Sequence, residues 1–104
     1  MLLSIPAFKQ ANALAESLAE AISKRYPPVI ANNPEQAISR KRIGEILDVA
    51  FAAARTFRQE NRLGLLGRTR LANSFKWRLR ELGYDEEFVA LANGTLARVF
   101  SATP

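Results

Sequence analysis

The sequence predicts an all-α domain, a small four- to five-helix bundle with a long central second helix. Three observations carry this reading. Apolar residues recur at helical spacing along most of the chain. Asn33-Pro34-Glu35-Gln36 and Asp85-Glu86-Glu87 carry the chemistry of helix starts. Tyr26-Pro27-Pro28 and Gly83 carry that of helix ends. A chain of 104 residues has material for one packed core, so the expected organisation is a single domain over residues 1–104.

The first helix is expected over residues 6–25. Pro6 fits a first turn, where its missing N–H is not needed. At about 100° per residue, Phe8, Ala11, Leu14, Ala15, Leu18, Ala21, Ile22 and Tyr26 share one face. Asn12, Glu16, Glu20, Ser23 and Lys24 share the other. Pro27 cannot continue the ladder, and residues 27–33 read as a loop.

The second helix is expected over residues 34–61, capped by Asn33, with Pro34 at its first position and Gln36 returning a capping-box bond. At about 1.5 Å per residue it would be roughly 40 Å long. Its apolar arc, including Ile38, Ile43, Ile46, Leu47, Val49, Phe51, Ala53 and Phe57, covers more than half the wheel. A surface helix needs only a narrower stripe. Such a rod is either a spine covered on two sides or one side of a homodimer, and a homodimer is the expectation. Gly44 marks a close crossing or a bend.

Gly64-Leu65-Leu66-Gly67 reads as a turn whose leucines tuck into the core. The third helix follows over residues 69–82, with Leu71, Ala72, Phe75, Leu79 and Leu82 inward. Gly83 and Tyr84 form a Schellman end. Asp85 caps a short fourth helix that Asn93-Gly94 closes, and residues 95–100 fit either a last helical turn or an extended tail.

Composition narrows the chemistry. The chain has no His and no Cys, which removes the usual neutral-pH base, the commonest metal ligand, thiolate catalysis and disulfides. The carboxylate pairs Glu16–Glu20 and Glu45–Asp48 read as solvated helix faces. Gly64 to Gly67 lacks the Lys-Ser/Thr ending of a phosphate loop. The expectation is a non-enzymatic protein without cofactor or metal. No apolar run approaches the roughly 20 residues of a membrane span. The first residues lack a basic region and Glu16 and Glu20 disfavour an organelle presequence, so a cytoplasmic location is expected.

Charge is unevenly placed. Residues 40–80 carry eleven basic and three acidic side chains, residues 81–104 one basic and four acidic. Arg55, Arg58 and Arg62 are spaced for one helix face, with Arg40 close to the same stripe. Arg68, Arg70, Lys76 and Arg80 continue the basic surface. Trp77 lies off the inner face of the third helix, where it serves as packing, as an interface anchor or as a base platform. A helix-turn-helix reader is disfavoured, because Asp85, Glu86 and Glu87 would lead into the phosphates. The expected function is a binding module acting through self-association and an acidic protein partner. The alternatives are non-specific phosphate contact with nucleic acid and an unrecognised small-molecule or catalytic site.

Overall fold

The computed structural model describes residues 5–60 and 63–101. They form α1 (Ile5–Arg25), α2 (Pro28–Ala31), a single 3-10 turn (Pro34–Gln36), α3 (Arg40–Ala50), α4 (Ala52–Glu60), α5 (Gly64–Leu82) and α6 (Glu86–Ser101). No strand occurs among the described residues. The all-α class holds, and no described helix is long and apolar enough to cross a membrane.

The two long helices, α1 and α5, form the spine. Arg70 lies over the Phe8 ring at 4.7 Å. Ser74 Oγ donates to Asn12 Oδ1 at 2.5 Å, and Arg78 pairs with Glu16 at 3.9 Å. Each contact joins residues 62 apart, so the two helices run parallel in one register. Between them lie Ala11, Leu14, Ala15, Leu18 and Ile22 of α1 and Leu71, Phe75 and Leu79 of α5, all buried. The predicted inner faces of both helices are therefore the real ones; Ala21 is only half-buried, and Ala19 joins the core instead.

A parallel pair needs a return path, and the segment from Pro28 to Glu60 supplies it. Here the expected long central helix is corrected. Asn33 does cap, its Oδ1 accepting from the Glu35 N–H at 2.9 Å, but it caps only the 3-10 turn. Ala37 is extended, and Ser39 provides a second cap, accepting from the Arg42 N–H at 3.1 Å. The helix beginning there breaks again at Phe51 (φ −89°, ψ 6°). Side-chain insertion explains the break. The Asp48 carbonyl at the bend accepts from Arg55 Nη1 at 3.0 Å. The bend resolves the wide apolar arc: Ile46, Leu47, Ala50, Phe51 and Ala54 are all buried, with Ile43 and Phe57 half-buried. Most of the arc thus wraps this chain's own core; only Val49 and Ala53 of it stay exposed. Gly44 is exposed, with nothing near the place of a Cβ, so it marks no crossing.

Residues 64–67 are the first turn of α5 rather than a separate turn, and Leu65 and Leu66 point away from the core. Gly67 is needed because Leu63 Cβ lies 3.0 Å from where a Cβ would stand. The α5 end is the expected Schellman motif. Gly83 has φ +107°, its N–H reaches the Arg80 carbonyl at 3.0 Å, and the Tyr84 N–H reaches Leu79 at 3.1 Å. Asp85 Oδ1 caps α6 by accepting from the Phe88 N–H at 2.9 Å. Asn93-Gly94 does not stop α6. Burial of Leu96 and Val99 outweighs the roughly 1 kcal/mol that an interior glycine costs. The ambiguous residues 95–100 are helical.

Candidate functional site

The predicted basic surface is divided among three places. The first is the turn between α5 and α6. Arg80 Nε and Nη2 donate to Glu86 at 2.7 and 2.9 Å, a bidentate pair. This bond holds the Glu86 carboxyl below its ordinary range and raises the Arg80 guanidinium. Lys76 adds attraction to the same carboxylate. Tyr84 is buried beside them, donates to the Tyr26 carbonyl at 2.5 Å and stacks on Phe88 at 4.7 Å. Burial pushes its phenol up to about 12. Asn32 closes the clasp, donating to the Gly83 carbonyl at 2.8 Å and accepting from the Asp85 N–H at 3.2 Å. Every partner here is a neighbouring part of the fold. The displaced titrations report a structural joint rather than a reactive cleft.

The second place is the α4–α6 seam. Arg58 Nη1 donates to the Val99 carbonyl at 3.0 Å, and Arg68 Nη1 to Phe100 at 3.2 Å. Both satisfy last-turn carbonyls of α6, where a cation is also favoured by the helix dipole. Arg55 pairs with Asp48. Arg55, Arg58, Thr95, Arg98 and Val99 line a notch of about 290 Å³. Sequence reading missed Arg98, because it lies forty positions beyond Arg58 on a stretch that read as tail. Arg62 lies outside the described residues. Arg40 is not beside Arg55 and Arg58. It stands in the first turn of α3, on the rim of a different, mostly apolar cavity with Tyr26, Ile38 and Phe88.

The third place is the outward side of α5. Buried Gly67, Leu71, Phe75 and Leu79 define its inner face. Leu66, Arg70, Asn73 and Trp77 follow at intervals of four, three and four, and about 100° per residue sets them on the opposite side. All four are exposed, Leu66 at 69 % and Trp77 at 63 %. Leu65, exposed at 73 %, extends the patch. Arg80 lies over the Trp77 ring, 5.4 Å from its centroid. Trp77 is therefore a surface group and not a core filler.

The remaining cleft of note lies between α5 and α6, about 380 Å³, walled by Leu65, Leu71, Leu96 and Phe100. Asn93 Oδ1 is buried on this wall without a hydrogen-bond partner. Three of the four carboxylates considered as pairs are turned to arginines: Glu45 to Arg42, Asp48 to Arg55, and Glu16 to Arg78. No group of three metal-capable side chains converges among the described residues.

No family model, curated protein or solved structure matches this chain.

Proposed function

We propose that the protein is a non-enzymatic helical binding module whose α5 stripe pairs with the α5 stripe of a second copy. The exposed Trp77, in line with Leu66 on the face turned from the core, carries this reading. Trp and Arg are the residue types most enriched among interface anchors. Of the large apolar side chains left exposed among the described residues, Leu65, Leu66 and Trp77 lie on α5, whereas Val29 and Val49 stand apart.

The stripe is also self-complementary. An antiparallel pairing about a two-fold axis beside residues 73 and 74 sets Arg70 of each copy against Trp77 of the other. The two cation–π contacts then form at once, with Arg70 leaving the Phe8 ring for the partner's Trp77, and the Asn73 amides lie at the centre. This seam replaces the second-helix face, most of whose large apolar side chains pack on the core, with Val49 left exposed. The basic flank of Arg70 and Lys76 also suits an acidic partner.

Light scattering across a concentration series tests the proposal. The native protein is expected to dimerise, and Trp77→Ala, which removes one hot spot of about 2 kcal/mol from each copy, to weaken the dimer on the order of 1,000-fold. Val49→Ala is expected to leave association unchanged. A native protein that stays monomeric at millimolar concentration overturns self-association, and the stripe is then tested against acidic peptides.

A further inference from the structure

We infer that the notch between α4 and α6 is a binding site for the phosphoryl group of a small soluble phosphate ester. Two helices supply it in matched pairs: Arg55 and Arg58 from α4, Thr95 and Arg98 from α6, each pair spaced three residues apart. Such spacing sets both members of a pair on one helix face. Three guanidiniums thus share a space of about 290 Å³ that no carboxylate lines, beside Thr95, whose hydroxyl donates to the Leu91 carbonyl.

Each guanidinium is tied to the fold by a hydrogen bond. The Asp48 carboxylate and carbonyl hold Arg55, the Val99 carbonyl holds Arg58, and Thr95 Oγ1 accepts from Arg98 Nη2 at 3.3 Å. A guanidinium has five N–H donors, so these anchors leave donors on all three. Fixing the side chains beforehand lowers the ordering cost of binding. Asp48 offsets the charge of Arg55, while Arg58 and Arg98 have only neutral anchors and repel one another, a repulsion that an anion between them removes.

A phosphomonoester fits this donor set better than a carboxylate. It carries a charge of about −1.5 to −2 and three terminal oxygens, one for each guanidinium. The volume exceeds what a phosphoryl group fills, leaving room for a small organic body against the Val99 wall. A nucleic-acid backbone would instead need cations in a track. Among the described residues Arg80 is spent on Glu86, Arg68 donates to the Phe100 carbonyl, and Arg40 lies at another cavity, so these three extend no track from the notch. The site is separate from the α5 stripe, so either proposal can fail alone.

The test is a titration of the full-length protein with glycerol phosphate, followed by amide and arginine Nε shifts in heteronuclear NMR. Acetate at equal ionic strength is the class control. Glycerol phosphate is expected to move Thr95, Arg98 and the Arg55 and Arg58 side chains, and acetate at least tenfold more weakly. Arg98→Gln, an exposed site whose melting temperature checks the fold, is expected to weaken binding tenfold or more, the loss of a charge-assisted bond. Arg40→Gln is expected to have no effect. Equal response to acetate, unchanged binding in Arg98→Gln, or shifts spread over all cations overturns the site. Binding of a duplex DNA or of phosphatidic-acid vesicles at lower phosphate concentration than glycerol phosphate overturns the small-ester assignment.

Discussion

Tyr84 joins the ends of α1 and α5 to the start of α6. It ends the Schellman turn of α5, stacks on Phe88 of α6 and donates to the last carbonyl before Pro27. A phenol in that position is costly to ionise, since the phenolate would lose its donor role and gain no water. Its proton is held to about pH 12 when folded, against an ordinary value of 10.0. A group whose folded value is raised contributes stability that is complete below its unfolded value and lost as pH rises through the folded one. The contribution of Tyr84 is therefore whole below about pH 10 and disappears between about 10 and 12. Thermal melts should show the native midpoint falling across that window more steeply than the midpoint of Tyr84→Phe. At pH 7 the variant should be less stable by about 1–3 kcal/mol, because the Tyr26 carbonyl is left without its donor. Equal slopes in the two proteins would mean that Tyr84 is not the titrating group.

At the level of helices, the termini decided what was readable. The ends of α1 and α5 and the start of α6 are set by local chemistry, namely Pro27, Gly83 and the Asp85 carboxylate, and each was legible. The starts of α3 and α5 were not. Asn33 and Ser39 are both competent caps six residues apart, and only the burial of Ile46, Leu47 and Ala50 favours the second. The bend at Phe51 has no Pro or Gly to announce it. Of the candidate sites, the stripe needed only the inner face of α5, whereas the notch needed α6 to continue past Gly94 and bring Arg98 to Arg58. The glycines that misled about helix boundaries make a direct test. Gly44 and Gly94 are both helical with open space where a Cβ would stand. Neither has positive φ. Replacing each with Ala removes unfolded-chain entropy at no steric cost. Each substitution should raise stability by about 0.5–1 kcal/mol in chemical denaturation, roughly additively because the sites are on different helices. A loss at Gly94 would show that α6 needs the flexibility there.

Over the whole molecule, the parallel register of α1 and α5 makes the fold cooperative. Every contact between them spans most of the chain, so neither helix can keep its buried face if the other leaves. α6 is tied in twice, by packing on α5 and by arginines from α4 and α5 on its last carbonyls. Phe75 stands at the centre, fully buried with its ring 5.7 Å from that of Phe51. Truncating it leaves a cavity that no single helix can close, at a cost of about 3–5 kcal/mol. In a domain whose total is only about 5–15 kcal/mol, that cost should be felt everywhere at once. Native-state hydrogen exchange can see this. The slowest amides of α1, α5 and α6 should open with one shared free energy, and Phe75→Ala should lower all three sets by the same amount. Amides of residues 37–39, outside any helix, should exchange quickly in both proteins. If instead the α5 and α6 amides lost protection while α1 kept its own, α1 would be an independent unit and the parallel pair would not be the spine.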